Sequence, residues 1–318
     1  TGKEKWAASN GDAYHQGRGN GPRGTPTIDG DLVFGLGGSG NLSCMNARDG
    51  SVKWQMNILK EFGGRNISWG ISESVLIDGE KLICTPGGRG ATVVALNKNT
   101  GKAIWKSAVP GNPRPGYASP IVAVIGGVRQ YVVFTGRGIV GIRAADGRSM
   151  WSSNASANGI ANCATPLLHK NFVFSASNYG KGGALLRLSS RGKTTTARQV
   201  YRTRNMKNHH GGMVIVDGHL YGSNGGILTC LDVVTGKVKW RQRTGKGSVT
   251  YADGHIYFRS ERGPMILLEA DPGEYNEKGR FRQPNRSNKP SWSHPVVADG
   301  KLFLRDMDVL LCYDLKSK

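Results

Sequence analysis

Acid is what this chain has least of. Its 318 residues carry 22 Asp and Glu against 43 Lys and Arg, a formal net charge of +21. A surface of that sign either attracts anions (nucleic acid, acidic glycans, lipid headgroups) or is a solvated basic exterior. The basic residues are scattered, with one dense patch at 279–290, which argues against a dedicated nucleic-acid motif and leaves only non-specific contact with nucleic acid. No run of 18 apolar residues is present, so no transmembrane helix is expected. Five cysteines, an odd number, exclude a fully paired disulfide framework. There is no phosphate-cradling loop, no nucleophile elbow and no Cys/His pairing of catalytic spacing.

What the chain does have is one phrase, repeated. It reads TGKEKW at Thr1–Trp6, DGSVKW at Asp49–Trp54, TGKAIW at Thr100–Trp105, DGRSMW at Asp146–Trp151 and TGKVKW at Thr235–Trp240. A Gly turn followed by Trp is a tight hairpin feeding a strand with a large apolar anchor. The tryptophans recur every 46–51 residues, apart from one interval of 89 that spans a degenerate copy. A period in the 40s built from strands and turns indicates an all-β propeller.

Seven hairpins with Asp-Gly-like tips and seven following apolar strands place repeats at 25–57, 68–108, 117–154, 163–203, 208–244, 247–284 and 292–318, all within one domain. Tyr201 is expected to replace Trp in the fourth repeat and Phe281 in the sixth. The seventh repeat lacks a fourth strand, and residues 1–7 are expected to supply it, closing seven four-stranded blades. The alternative is that Thr1–Trp6 ends an earlier repeat of an eight-bladed parent. The chain opens inside a repeat phrase, so a trimmed N-terminus is expected. Cys44, Cys230 and Cys312 share one repeat slot with Ala95 and Gly141, which therefore demands a small side chain in a strand core.

The longer phrases Ala95–Trp105 and Cys230–Trp240 resemble the repeat of the pyrroloquinoline-quinone (PQQ) propeller family, over essentially the whole chain. The resemblance implies a PQQ-like β-propeller whose Trp strands are outermost, each Trp packing between neighbouring blades. The family includes quinoprotein alcohol and sugar dehydrogenases. It also includes non-catalytic scaffolds such as the outer-membrane-protein assembly lipoprotein. It implies a periplasmic or extracellular location. The dehydrogenases carry an adjacent Cys-Cys pair that is absent here, so no cofactor is expected, with PQQ and calcium the alternative although their motifs are absent.

The Gly turns are stereotyped, whereas the connections at 57–69, 108–117, 154–163, 202–212 and 283–294 differ and should share one face with the second-to-third-strand loops. That face holds Arg65, Trp69, Arg114, Tyr117, Lys207, Asn208, His209, His210, Trp292 and His294, joined by Arg89, Arg137, Tyr179, Lys181, Arg259, Arg305 and Asp306. Guanidinium forks and aromatic faces suit an anionic small molecule or acidic glycan, or a protein partner. Alternatively, Trp69 and Trp292 fill space and the arginines bond loop carbonyls. His209 and His210, as neighbours on an extended strand, would point to opposite faces, so no metal site is expected. Glu73 and Asp306 are the loop-face carboxylates left after turn residues are set aside. With Tyr117, His209 and His210 they are the catalytic candidates if the chain is a divergent quinoprotein oxidoreductase or a polysaccharide-acting enzyme. The reading preferred over these is a non-catalytic binding propeller.

Overall fold

The structure, a computed structural model, describes residues 2–17 and 19–316. Its first sheet holds β1 (Thr27–Asp29), β2 (Leu32–Leu36), β3 (Asn41–Asn46) and β4 (Val52–Asn57), followed by one helical turn, α1 (Ile58–Glu61). The second holds β5 (Leu76–Asp78), β6 (Lys81–Cys84), β7 (Val93–Asn97) and β8 (Ala103–Ser107). The third holds β9 (Ile121–Ile125), β10 (Val128–Phe134), β11 (Ile139–Arg143) and β12 (Ser149–Ser153). The fourth holds β13 (Leu167–His169), β14 (Phe172–Ser177), β15 (Gly182–Arg191) and β16 (Thr194–Thr203). The fifth holds β17 (Met213–Val216), β18 (His219–Asn224), β19 (Ile227–Asp232) and β20 (Val238–Arg243). The sixth holds β21 (Gly247–Ala252), β22 (His255–Ser260), β23 (Met265–Glu269) and β24 (Glu277–Phe281). The seventh has three strands, β25 (Val296–Ala298), β26 (Lys301–Asp306) and β27 (Val309–Asp314). These are the blades of an all-β, seven-bladed propeller.

Contacts divide the chain into two compact units. One is Thr1–Pro166 with Leu188–Ala197; the other is Leu167–Arg187 with Arg198–Lys318. Within each unit the core lies between consecutive sheets. Phe34, Leu42 and Cys44 of the first sheet pack with Leu82 and Leu96 of the second. Ile83, Val93 and Ala95 of the second pack with Tyr131, Val140 and Ile142 of the third. In the other unit Tyr221, Leu228 and Cys230 meet Ile256, Phe258 and Ile266.

The repeated phrase has a contact of its own. The indole N–H of Trp54 donates to the Lys98 carbonyl at 2.9 Å, and that of Trp105 to the Ala144 carbonyl at 3.1 Å, each reaching the next sheet. Trp240 donates to the Asp271 carbonyl and the Tyr201 hydroxyl to the Val233 carbonyl in the same way. Each ring lies over the glycine of the following phrase where that phrase exists: Trp54 on Gly101, Trp105 on Gly147, Tyr201 on Gly236. These glycines have φ of 70–74° and no room for a Cβ, so backbone and neighbour both require glycine. The small-residue slot is explained too, because the anchors sit directly across from it: Cys44↔Trp54, Ala95↔Trp105, Gly141↔Trp151 and Cys230↔Trp240. Trp151 alone of these turns its N–H to the Gln130 side chain, its ring covering Gly141.

Two expectations need correction. Phe281 is not the sixth anchor; it faces Met265, and Gly279 occupies the slot facing Leu267. Tyr275 instead packs edge-on against Trp240, 5.7 Å between centroids. Nor do the described residues of the N-terminal phrase form the expected strand, and the seventh sheet has three strands among the described residues. Among the described residues no strand precedes Thr27. Trp6 lies on Gly50 and donates to the Ala47 carbonyl at 3.0 Å, and Asn10 bonds the Gly35 and Asn41 carbonyls. The segment's hydrogen bonds are thus taken by the first sheet, where Trp6 makes the contact that a preceding blade's anchor would make.

Candidate functional site

Long-range bonds within each unit show that the variable connections and the second-to-third loops share a face. Arg137 donates to the Gly111 carbonyl at 3.1 Å, the Lys207 amide to the Asn224 side chain at 2.8 Å, and Arg259 to Gln283 at 2.7 Å. In the first unit Trp69 and Tyr117 are half-buried and tilted against each other at 5.8 Å. Arg65, Arg89 and Arg114 are exposed. Glu73 is buried, its carboxylate accepting the Thr85 amide at 2.6 Å. Burial raises its pKa to about 7, against the opposing hydrogen bond from Thr85.

In the second unit the arginines and Asp306 are committed to structure. Arg259 is 3 % exposed and spans the Arg305 carbonyl at 2.5 Å and Gln283. Gln283 in turn donates to Asp306 at 2.9 Å, which also accepts the Ser287 amide and hydroxyl at 2.8 and 2.6 Å. Burial opposes ionisation of Asp306, but these donors hold its carboxyl below the usual range. Arg305 folds back onto the Met307 carbonyl. The network pins the 283–292 connection rather than presenting charge.

His209 and His210 do not point apart. Residues 206–212 form no strand, and the two rings stack at 3.6 Å and 34°. The expectation of opposite faces fails because it assumed an extended backbone. Tyr179 meets His209 edge-on at 5.2 Å and Trp292 lies 4.6 Å from His210. His294 reaches the His210 carbonyl at 3.0 Å, and fully buried Asn208 bonds the Gly212 and Ser223 carbonyls. Beside this stack opens a cleft of about 190 Å³ lined by Lys207, His209, His210, Ser223, Lys246 and Glu261. Glu261 Oε1 lies 3.8 Å from His210 Nδ1. Burial opposes its ionisation, while His210 and Lys246 hold its pKa low. No motif or spacing in the sequence points to Lys246 or Glu261. Both flank the β21–β22 hairpin whose Arg259 was singled out, and only the fold brings them to the histidines.

Seven sheets of one repeat, three of them anchored by an aromatic on the next phrase's glycine, define a propeller of the quinoprotein repeat type. The chain belongs to the outer membrane protein assembly factor BamB family, whose sequence profile matches residues 1–242 and 224–314. It is 24 % identical over 264 residues to the outer membrane protein assembly factor BamB of Yersinia pestis, covering 78 % of this chain and 64 % of that protein. The chain thus spans less than two thirds of the length of that relative. The crystal structure of BamB from Moraxella catarrhalis superposes with a TM-score of 0.65 at 15 % identity, covering 95 % of this chain and 92 % of that one. The quinohemoprotein alcohol dehydrogenase of Comamonas testosteroni superposes with a TM-score of 0.60 at 12 % identity, covering 91 % and 63 %. A europium-containing methanol dehydrogenase gives 0.61 at 13 %, covering 98 % and 78 %. At these identities the structures share the fold alone.

Proposed function

We propose that this chain is a non-catalytic, protein-binding propeller serving outer-membrane protein assembly in the bacterial periplasm. The observation that carries the reading is the family match across nearly the whole length. The chemistry of the loop face supports it. Glu73 and Asp306, the carboxylates a calcium ion would need, are consumed by Thr85, Ser287 and Gln283. Arg259, which a quinone carboxylate would need, is consumed by loop acceptors. These residues do not fit a PQQ–calcium pair. The finer proposal is that Lys207 and Lys246 give the cleft a positive rim that engages acidic side chains of a protein partner.

Two measurements test this together. Removing the gene should lower the steady-state amount of folded β-barrel proteins in the outer membrane, and restoring it should recover them. Purified protein titrated with PQQ and calcium should show no saturable absorbance change and no dye reduction with alcohols or sugars. Unchanged barrel levels, or turnover with PQQ, would sink the proposal.

A further inference from the structure

The outer strands of three consecutive sheets make one basic rim on the second unit. β16 from Arg198 onward, β20 and β24 are tied to their neighbours in turn. The Tyr201 hydroxyl bonds the Val233 carbonyl, Arg241 bonds the Asn205 side chain at 2.7 Å, and the Trp240 indole bonds the Asp271 carbonyl. Within and beside these strands, residues 198–204, 237–243 and 278–282 contain ten Lys and Arg and no Asp or Glu. All ten are exposed. The matching segments of the first three sheets, 52–57, 102–107 and 148–153, hold only Lys53, Lys102, Lys106 and Arg148. Charge that looks scattered along the sequence is gathered here because the outer strand recurs in the same place in every repeat. Of the ten, Lys278 is neutralised by Glu269 at 2.9 Å and Arg280 by Glu277 at 2.7 Å; among the described residues no ion pair engages the other eight.

Three features select the kind of anion. First, the cations are spread over an open surface, and none of the ten lines the cleft beside His210. Second, the aromatic rings of the rim are turned inward. Trp240 is 9 % exposed, Tyr201 is held by its hydroxyl bond, and Phe281 packs on Tyr313 at 4.8 Å, which leaves these rings poorly placed to stack on a base or a sugar. Third, an apolar side chain stands among the charges. Val200 is 47 % exposed between Arg198 and Arg202, and the two-residue period of a strand puts all three on one face of β16. An exposed valine inside a row of cations matches a bilayer surface, where phosphates overlie hydrocarbon. We propose that this rim lies against the surface of an anionic phospholipid bilayer, its arginines and lysines on the phosphates and Val200 reaching below them. The contact is separate from the cleft and does not rest on the assembly reading.

The test is flotation of the purified full chain with vesicles of phosphatidylcholine, alone or with about one third phosphatidylglycerol. Binding should require the anionic lipid at about 0.1 M salt and collapse at about 1 M, as the Debye length shrinks from about 10 to about 3 Å. Each Lys or Arg close to such a surface contributes about fivefold to partitioning, so Lys239→Gln, Arg241→Gln and Arg243→Gln together should weaken binding about 100-fold. The same loss of charge in the first unit, by Lys53→Gln, Lys102→Gln and Arg148→Gln, acts only through screened long-range attraction and should weaken it less than about threefold. Val200→Ser should weaken vesicle binding while leaving retention on single-stranded DNA unchanged. Unaltered thermal unfolding midpoints show that the variants keep their fold. Three outcomes would overturn the proposal: equal binding to phosphatidylcholine alone, equal losses in the two triple variants (net charge acting without a rim), or tighter binding of DNA than of vesicles with no effect of Val200→Ser on either. None depends on barrel-protein levels in cells, so failure here and failure of the assembly role are read separately.

Discussion

Replacing Gly147 by alanine should destabilise the first unit far more than the same change at Gly90. The two glycines share φ = +74°, so the backbone cost of an L-residue in the left-handed region, about 1–2 kcal/mol, is common to both. A Cβ at Gly90 meets nothing within 4 Å, whereas one at Gly147 would lie 2.5 Å from Cε3 of Trp105. Trp105 is 9 % exposed and held by its bond to Ala144, so the ring cannot swing aside without losing that bond and its burial. Overpacking of this kind costs a further ~1–3 kcal/mol. Gly90→Ala should therefore cost about 1–2 kcal/mol and Gly147→Ala about 2–5 kcal/mol. Urea unfolding followed by tryptophan fluorescence measures both. Adding Trp105→Leu should remove most of the excess at Gly147 and none of the cost at Gly90. Equal losses in the two single variants would refute the idea that the aromatic contact, rather than the turn, fixes glycine in this phrase.

Other outcomes follow from the same structure. Glu73 has its pKa raised to about 7, so the folded chain holds this proton while the unfolded carboxyl, titrating near 4.5, has lost it. Stability should therefore fall as pH rises from about 4.5 to 7 and level off above that, by a total on the order of 3 kcal/mol. Glu73→Gln should remove that slope in unfolding midpoints measured across the range, and an unchanged slope would assign it elsewhere. Asp306→Ala strands the Ser287 and Gln283 donors and should cost about 2–4 kcal/mol, with trypsin cleaving first near Arg286; unaltered proteolysis would show that the network does not pin the connection. Lys246→Glu should weaken binding of an acidic peptide, measured by fluorescence anisotropy, by about tenfold at low salt. The difference should shrink at 1 M salt, where the Debye length is about 3 Å.

The repeat phrase made most of the architecture legible. A glycine turn and a tryptophan at a period near 48 leave few ways to bury the ring, and Trp54, Trp105 and Trp240 each bury it against the next sheet as the phrase demands. The degenerate copies were harder. Tyr201 keeps the anchor contact because its hydroxyl reaches the carbonyl that an indole N–H would. In the sixth copy the aromatic comes two residues too late: Gly279 faces the slot and Phe281 falls beyond it, opposite Met265. The loop face was legible in composition only. Arginine and histidine at loop positions said that polar chemistry gathers there, but not whether a guanidinium faces solvent, as Arg65 does, or is spent on neighbouring carbonyls, as Arg259 is.

The sequence by itself determined the seven repeats, the turn positions and the small-residue slot, because these follow from local geometry repeated at a fixed interval. Only the tertiary structure decided which polar groups remain available. It stacked His209 on His210 and drew Glu261 and Lys246 to them from either side of a hairpin roughly 35–50 residues further along the chain. Contacts of that kind depend on how loops of unrelated sequence meet after the sheets have packed, and no periodicity encodes them.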